Sequence, residues 1–349
     1  MSRNQKILIS VVALLAVLVC IAAPVFGLPG LDALKKAAEP TVALLMTGTS
    51  SPRKSSETAT AAPVCSGPRE MFILLIGSDT RSDDYYAGLS DSMRVVRVDF
   101  VHPGLMMLPY QRDLYVQIPG ISNHGGITQG KLDQAYLYGN PGFGYFDGSG
   151  QGPGLLAATL QQNFGTRVDH YVAVNLRTFA RVVDALGGID VNLPAAVDGR
   201  SRTNRDASLY FPAGLQHLDG LRALALARLR PDGDLQRTAR QNVLLEALAA
   251  KILSPSSLPD MPKAVEAFYA SVQTDMGADE ISKLLCLGSM IDPAKIRSVD
   301  FPPQLFASGR VKDPVLGYTF VWDVDFNMLR AYVDYFNKGT WPKTPLAAP

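Results

Sequence analysis

Apolar runs of strand length alternate along this chain with stretches whose apolar residues recur at helical spacing. Residues 71–77 are almost wholly apolar, which predicts a strand buried on both faces. The valine-rich residues 93–100 and then 105–108 continue the same sheet, and 170–174 read as a further strand. Between them, Leu155, Leu156 and Leu160 place a helix over 152–164. Phe179, Val182, Val183 and Leu186 mark the next helix, closed by Gly187-Gly188 before a strand at 189–193. This strand–helix–strand passage implies helices packed on sheet faces. Asp219 is a suitable N-cap for a helix running to 229, and Asp234 opens another over 235–253, with Pro255 past its end. Weaker helical patterns follow at 262–272, 279–287 and 323–336, and Phe320, Trp322, Phe326 and Tyr332 are expected to cover an apolar surface of the main domain. The predicted class is α/β: a central mixed β-sheet sandwiched between helices.

The N-terminal pattern is different. After Arg3 and Lys6, residues 7–28 carry no charge, and as a helix they would span roughly 33 Å, enough for a bilayer core. Pro24-Val25-Phe26 is a poor cleavage site, so one uncleaved transmembrane helix is predicted, with its basic start in the cytoplasm and the bulk of the chain outside it. Residues 47–68 are rich in Ser, Thr, Ala, Gly and Pro and read as a tether. The predicted organisation is therefore 1–28 cytoplasmic start and anchor, 29–69 juxtamembrane linker, 70–253 main domain and 254–349 a C-terminal extension packed on it.

Composition narrows the function classes. The 349 residues are 47% hydrophobic, ample for a large core. Lys and Arg number 33 against 32 Asp and Glu, so no broad basic field exists to attract nucleic acid. Cys65 and Cys286 are the two cysteines of the predicted exterior portion, which permits one disulfide; two unpaired thiols are the alternative. The four histidines are scattered without zinc spacing.

Candidate chemistry lies in two places. Asp79 follows the first strand and Asp91 precedes the second, so pairing of those strands would bring both carboxylates to one end of the sheet, where they could hold a hard divalent cation. Downstream, Arg228, Arg230, Asp234, Arg237 and Gln241 crowd one helix entrance, and guanidinium forks match phosphate oxygens. Together they suggest a pyrophosphate-handling site. Residues 125–131 read G-x-x-x-x-G-K, but Leu132 stands where the Mg²⁺-binding hydroxyl of a P-loop belongs, leaving Lys131 only as a side chain that could approach a substrate phosphate. The glycine-rich residues 139–154 read as a long loop beside the site.

The segments FILLIGSDTR (72–81), LSDSMRVVRVD (89–99), QRDLYVQIPG (111–120), GKLDQAY (130–136), DHYVAVN (169–175), VVDALGGIDVNLP (182–194), FPAGLQHLDGLRALALARLRPDGD (211–234) and RTARQ (237–241) resemble the LytR-CpsA-Psr family. The resemblance implies a membrane-anchored, outward-facing phosphotransferase of the bacterial cell membrane. Such a protein moves a glycopolymer from a polyprenyl-pyrophosphate carrier onto peptidoglycan, using Mg²⁺ or, as an alternative, Mn²⁺. It implies metal binding by Asp79 and Asp91 and catalytic roles for Arg112, Asp234 and Arg237. Substrate contacts then fall to Arg81, Lys131, Arg228, Arg230, Arg240 and Gln241. The acceptor's base is left between Asp91 and Asp234.

Two departures stand out. The family usually has Arg where this chain has Leu89, and S-I-P-R-D where it reads Pro109-Tyr110-Gln111-Arg112-Asp113. Loss of that guanidinium implies either weaker catalysis or its replacement at the phosphate by Arg81 or Arg94, and the rival reading is a non-catalytic polyprenyl-lipid-binding or wall-scaffolding protein. A carrier lipid also needs an apolar tunnel, for which Leu155, Leu156, Leu160, Phe179, Val183, Leu244 and Leu248 are the candidates.

Overall fold

In the computed structural model, the described residues are 62–80, 83–229 and, with short interruptions, 231–346. Among them no helix is long and apolar enough to cross a membrane; the predicted anchor at 7–28 and most of the linker lie outside the described residues.

The core is a six-stranded mixed sheet. Its centre is β1 (Glu70–Ser78) paired antiparallel with β2 (Ser90–Asp99), which pairs antiparallel with β3 (Gly104–Tyr110). Beyond β3, the short hairpin β4 (Tyr115–Gln117) and β5 (Gln129–Lys131) leads into α1 (Leu132–Gly139) and α2 (Gln151–Phe164). The chain then returns as β6 (His170–Asn175), parallel to β1. Helix α3 (Leu176–Ala185) follows at once, its first turn capped by Asn175, whose side chain accepts from the Thr178 N–H.

β7 (Ile189–Leu193) does not rejoin this sheet. It pairs only with β8 (Gly214–Leu218), forming a separate two-stranded ribbon beside α4 (Gly220–Arg228), so the strand–helix–strand passage is not a crossover within one sheet. Alternating burial explains this: Asp190 and Asn192 are exposed while Ile189, Val191 and Leu193 are buried, the pattern of a strand covered on one face only. Asp219 caps α4 as expected, accepting from the Arg222 N–H at 2.7 Å.

The C-terminal segment is woven into the same body. β9 (Gln273–Thr274) and β10 (Ile296–Ser298), on either side of α5 (Ala278–Gly288), complete the sheet as its two outer strands, in the order β9-β6-β1-β2-β3-β10. A hairpin of β11 (Ala307–Asp313) and β12 (Gly317–Asp323) precedes α6 (Phe326–Asn337). Cys65 and Cys286 form the disulfide, joining the start of the domain to α5.

Side-chain alternation along β1 divides the interior. Phe72, Leu74 and Ile76 face α1, α2 and α6 in an aromatic-rich core with Tyr136, Phe164, Tyr332 and Phe336. Met71 and Ile73 face the other way, against α3 and α5. A third cluster, with Val183, Leu226 and Leu244, lies under the β7–β8 ribbon. The expected tunnel set is split by this arrangement. Leu155, Leu156 and Leu160 are fully buried on one face of the sheet, whereas Val183 and Leu244 belong to the third cluster, with Phe179 and Leu248 packed against it. Helical periodicity shows that a helix has an apolar side, not which face of the sheet receives it, and the two sets pack in separate clusters.

Candidate functional site

The β1–β2 register slips by one residue at its far end. Gly77 lies opposite Ser92 and Ser78 opposite Ser90, leaving Asp91 unpaired as the extra residue of a β-bulge. The bulge turns that carboxylate out of the ladder. Asp79, the next residue after β1, is fixed from across the strand pair: its N–H donates to the Leu89 carbonyl at 3.1 Å, and its Oδ1 accepts from the Leu89 N–H at 2.7 Å. Both aspartates thus stand at the same end of the sheet, as their spacing predicts. Leu89 holds Asp79 entirely through its backbone, so this support survives the change from arginine. The guanidinium does not.

β3 ends at the same end of the sheet and delivers Arg112. Its Nη1 donates to Asp91 Oδ1 at 2.5 Å and its Nε to Asp113 Oδ2 at 3.3 Å. The other oxygen of Asp113 accepts from Lys131 Nζ at 2.7 Å. Lys131 sits at the N-cap of α1, and two residues on, Asp133 is buried with its N–H donating to the Arg112 carbonyl. Asp113 and Asp133 were not singled out by sequence. Asp113 could have been found as the direct neighbour of Arg112; Asp133 looks like any acid in the first turn of a helix.

The electrostatics follow from burial and crowding. Burial pushes the Asp133 carboxyl up to about 7; Arg112 opposes this, while the neighbouring Asp113 reinforces it. Its Oδ1 finds no partner among the described residues. Burial would lower the pKa of Arg112, but Asp91, Asp113 and Asp133 outweigh it and the net shift is upward. The guanidinium therefore stays charged, and its Nη2 has no acceptor among the described residues.

Asp79 and Asp91 each use one oxygen in the bonds above and leave Oδ2 without a donor among the described residues. No group of three or more His, Cys, Asp or Glu side chains there could hold a metal ion. Two hard carboxylate oxygens suit an ion such as Mg²⁺ that completes its shell with water and phosphate oxygens.

The remaining predicted residues divide. Arg228, on the last turn of α4, is exposed and makes no ion pair among the described residues. Arg240 is buried, and its Nη2 donates to the Leu229 carbonyl at 2.6 Å, a bond that ties its helix to the end of α4. Arg81, Arg230, Asp234, Arg237 and Gln241 lie outside the described residues. Arg94 shares a face of β2 with Val96 and Val98; burial lowers its pKa, and the opposing charge it feels is Asp300, so the structure does not bring it to Arg112. Tyr110, at a departure from the family pattern, is a core residue, with its ring against Phe164 and Phe301 and its hydroxyl bonded to Thr166. The P-loop reading fails on order: Gly125 and Gly126 precede β5 instead of lying between strand and helix. The glycine-rich loop after α1 touches the loop that links β1 and β2, where the Gly142 N–H donates to the Tyr86 carbonyl at 2.6 Å.

Known proteins share the sequence and fold. The chain is 33% identical over 216 residues to the polyisoprenyl-teichoic acid–peptidoglycan teichoic acid transferase TagU of Oceanobacillus iheyensis, a match covering 61% of each chain. It is 31% identical to the corresponding TagV of Bacillus subtilis over 60% of this chain and 50% of that one. The match thus spans at most about 61% of the length of these curated relatives. Among solved structures, B. subtilis TagV superposes with a TM-score of 0.55 at 26% identity, covering 78% of this chain and 99% of that one. A Streptococcus agalactiae protein shares the fold, with a TM-score of 0.60 at 23% identity over 80% of this chain and 91% of its own. The sequence profile of the LytR_cpsA_psr family matches residues 42–325, well over half the chain, and the protein belongs to that family.

Proposed function

We propose that this protein transfers a glycopolymer phosphate from a polyprenyl-pyrophosphate carrier to a sugar hydroxyl of peptidoglycan, as an outward-facing enzyme held at the bacterial cell membrane by residues 7–28. The reading is supported by family membership and by the transferase names of the curated relatives. The observation that carries it is the state of Arg112: a guanidinium fixed by two carboxylates at the end of the sheet, with one nitrogen still free to donate among the described residues.

In this reading, Arg112 binds the diphosphate through Nη2, and Asp113 and Lys131 keep its plane from rotating. Asp79 and Asp91 would hold Mg²⁺, which when bound neutralises charge on the phosphate oxygens. Arg228, on the last turn of α4, and Arg230, Asp234, Arg237 and Gln241 after it are the proposed further contacts to the diphosphate. The chain's work is positioning and charge stabilisation, which is most of what phosphoryl transfer asks of a protein.

The test uses lipid-linked glycopolymer and peptidoglycan strands. Asp79→Ala should abolish attachment with an unchanged melting midpoint, and attachment retained by that variant would remove the metal role. Leu89 favours the non-catalytic lipid-binding reading, since it supplies no charge to the site; wild-type protein that binds the carrier yet transfers nothing would establish that alternative.

A further inference from the structure

The β11–β12 hairpin has one face turned inward and one turned to solvent. Val321 is buried and Val311 half-buried on the inner side, while Arg310, Lys312, Tyr318 and Phe320 are exposed on the outer. The antiparallel register sets Lys312 opposite Tyr318, Arg310 opposite Phe320 and Ser308 opposite Trp322. Directly opposed residues project to the same side, so a row of three aromatics runs beside a row with two cations. Exposure grows along the aromatic row: Trp322 is partly buried against Phe306, Phe320 is 37% exposed and Tyr318 76%. Large aromatics this open on a rigid element call for a partner. Arg310 and Lys312 make no ion pair among the described residues, unlike Lys283 with Asp279 or Lys338 with Asp334.

The hairpin is built into the site. The Trp322 N–H donates to the Asp113 carbonyl at 3.0 Å, Leu114 bridges Trp322, and the Tyr115 hydroxyl reaches Asp313. Asp313 Oδ1 also accepts from the N–H groups of Val315 and Leu316, fixing the turn. The strand that carries the aromatic row is therefore bonded, at Trp322, to the backbone of Asp113, the residue after Arg112, and runs outward from there. It lies at the end of the sheet away from the point where the chain enters the domain, since the Val64 N–H donates to the Phe100 carbonyl just past the far end of β2.

We propose that this face docks the acceptor: a peptidoglycan glycan strand whose sugar rings lie on Tyr318 and Phe320 and whose stem-peptide carboxylates meet Arg310 and Lys312. The inference rests on the transfer reading above and adds the surface that presents the acceptor to it. Rings two residues apart on a strand are spaced by about 7 Å, so they can support neighbouring sugars of an extended polymer. The two unpaired cations match a polyanion. A strand lying along the row is led to Asp113 and the Arg112 guanidinium.

The test is co-sedimentation of the full chain, in detergent, with purified peptidoglycan sacculi, beside titration with a short-chain polyprenyl diphosphate. Tyr318→Ala with Phe320→Ala should weaken sacculus binding at least tenfold and leave diphosphate binding and the melting midpoint unchanged. Arg310→Ser with Lys312→Ser should weaken it similarly, and amidating the sacculus carboxylates should erase the difference between that variant and the native chain. Arg112→Ala should do the reverse, keeping sacculus binding and losing the diphosphate; an Arg112→Ala chain that still binds diphosphate would damage the transfer reading alone. Native-level sedimentation of the aromatic variant would overturn the proposal. So would loss of a native dimer in that variant, which would make the face a self-contact. Quenching of Trp322 by brominated lipid in nanodiscs, in a Trp341→Phe background, would make it a membrane contact and equally overturn it.

Discussion

Each end of the β1–β2 pair carries an arginine among carboxylates, and the two clusters differ in what they leave unsatisfied. At the end where the chain enters the domain, Arg97 donates from Nε to the Asn337 carbonyl, from Nη1 to Asp99 and from Nη2 to Glu70. All three nitrogens are engaged. Asp99 accepts in addition from the N–H groups of Val101 and His102. Burial would raise the Asp99 pKa, but those backbone donors and Arg97 overcome it and hold the carboxyl below its usual range. At the other end, among the described residues, Arg112 keeps Nη2 open, Asp79 and Asp91 each keep an oxygen open, and Asp133 is pushed up to about 7 with a buried oxygen unpartnered. The first cluster is finished by folding. The second retains bonding capacity that folding does not use, and unused capacity of both signs is what a metal–diphosphate ligand would complete.

The largest expected effect separates the two arginines by activity. Arg112→Ala should cut glycopolymer transfer by roughly 10²–10³-fold, the range for loss of a transition-state donor, measured with lipid-linked donor at saturating acceptor. Arg97→Ala should leave that rate within twofold and instead destabilise the fold by about 1–3 kcal/mol in urea, because the part-buried Glu70 and Asp99 lose its charge-assisted bonds while keeping Arg167 and the Val101 and His102 N–H groups. Interchanged outcomes would erase the distinction.

Next comes the pH dependence of stability, where the two ends have opposite signs. The Asp133 pKa is raised in the fold, so its protonated form is favoured there. Its contribution is present at low pH and is lost as pH rises from the unfolded value near 4 to about 7. Asp99 is lowered, so its contribution is present above its unfolded pKa and is lost as pH falls through the folded one. Asp133→Asn should flatten the slope of urea stability between about pH 4 and 7 and raise stability at pH 8 by about 1–3 kcal/mol. Asp99→Asn should flatten only the acid side.

The smallest effect expected is at Leu89. Since its backbone already fixes Asp79, Leu89→Arg should preserve the fold and raise transfer by roughly 3–10-fold, in line with one exposed charge-assisted bond to phosphate. No change in rate would mean that the site does not need that guanidinium.

Much of this was legible in the chain. Residues 71–77 announced a central strand because a strand buried on both faces needs an almost unbroken apolar run, the valine-rich 93–100 supplied its neighbour, and the position of Asp79 and Asp91 followed from that pairing. The bulge at Asp91 was not legible, since a one-residue slip leaves no trace in composition. Departure of β7 from the main sheet was hidden because strand length and spacing do not name a partner. The β11–β12 hairpin was missed for a different reason: with Arg310, Lys312 and Ser308 on its outer face, β11 has too few apolar residues to show a period of two. Asp133 stayed invisible because its character comes from burial beside Arg112, a tertiary property.

Under the proposed function the open cluster, and not the closed one, receives diphosphate. Calorimetric titration of the native, Arg112→Ala and Arg97→Ala chains with a short-chain polyprenyl diphosphate, with and without Mg²⁺, tests it directly. The native and Arg97→Ala chains should bind in a Mg²⁺-dependent manner, and Arg112→Ala should bind at least a hundredfold more weakly. Equal affinity in all three, or native binding indifferent to Mg²⁺, would contradict this.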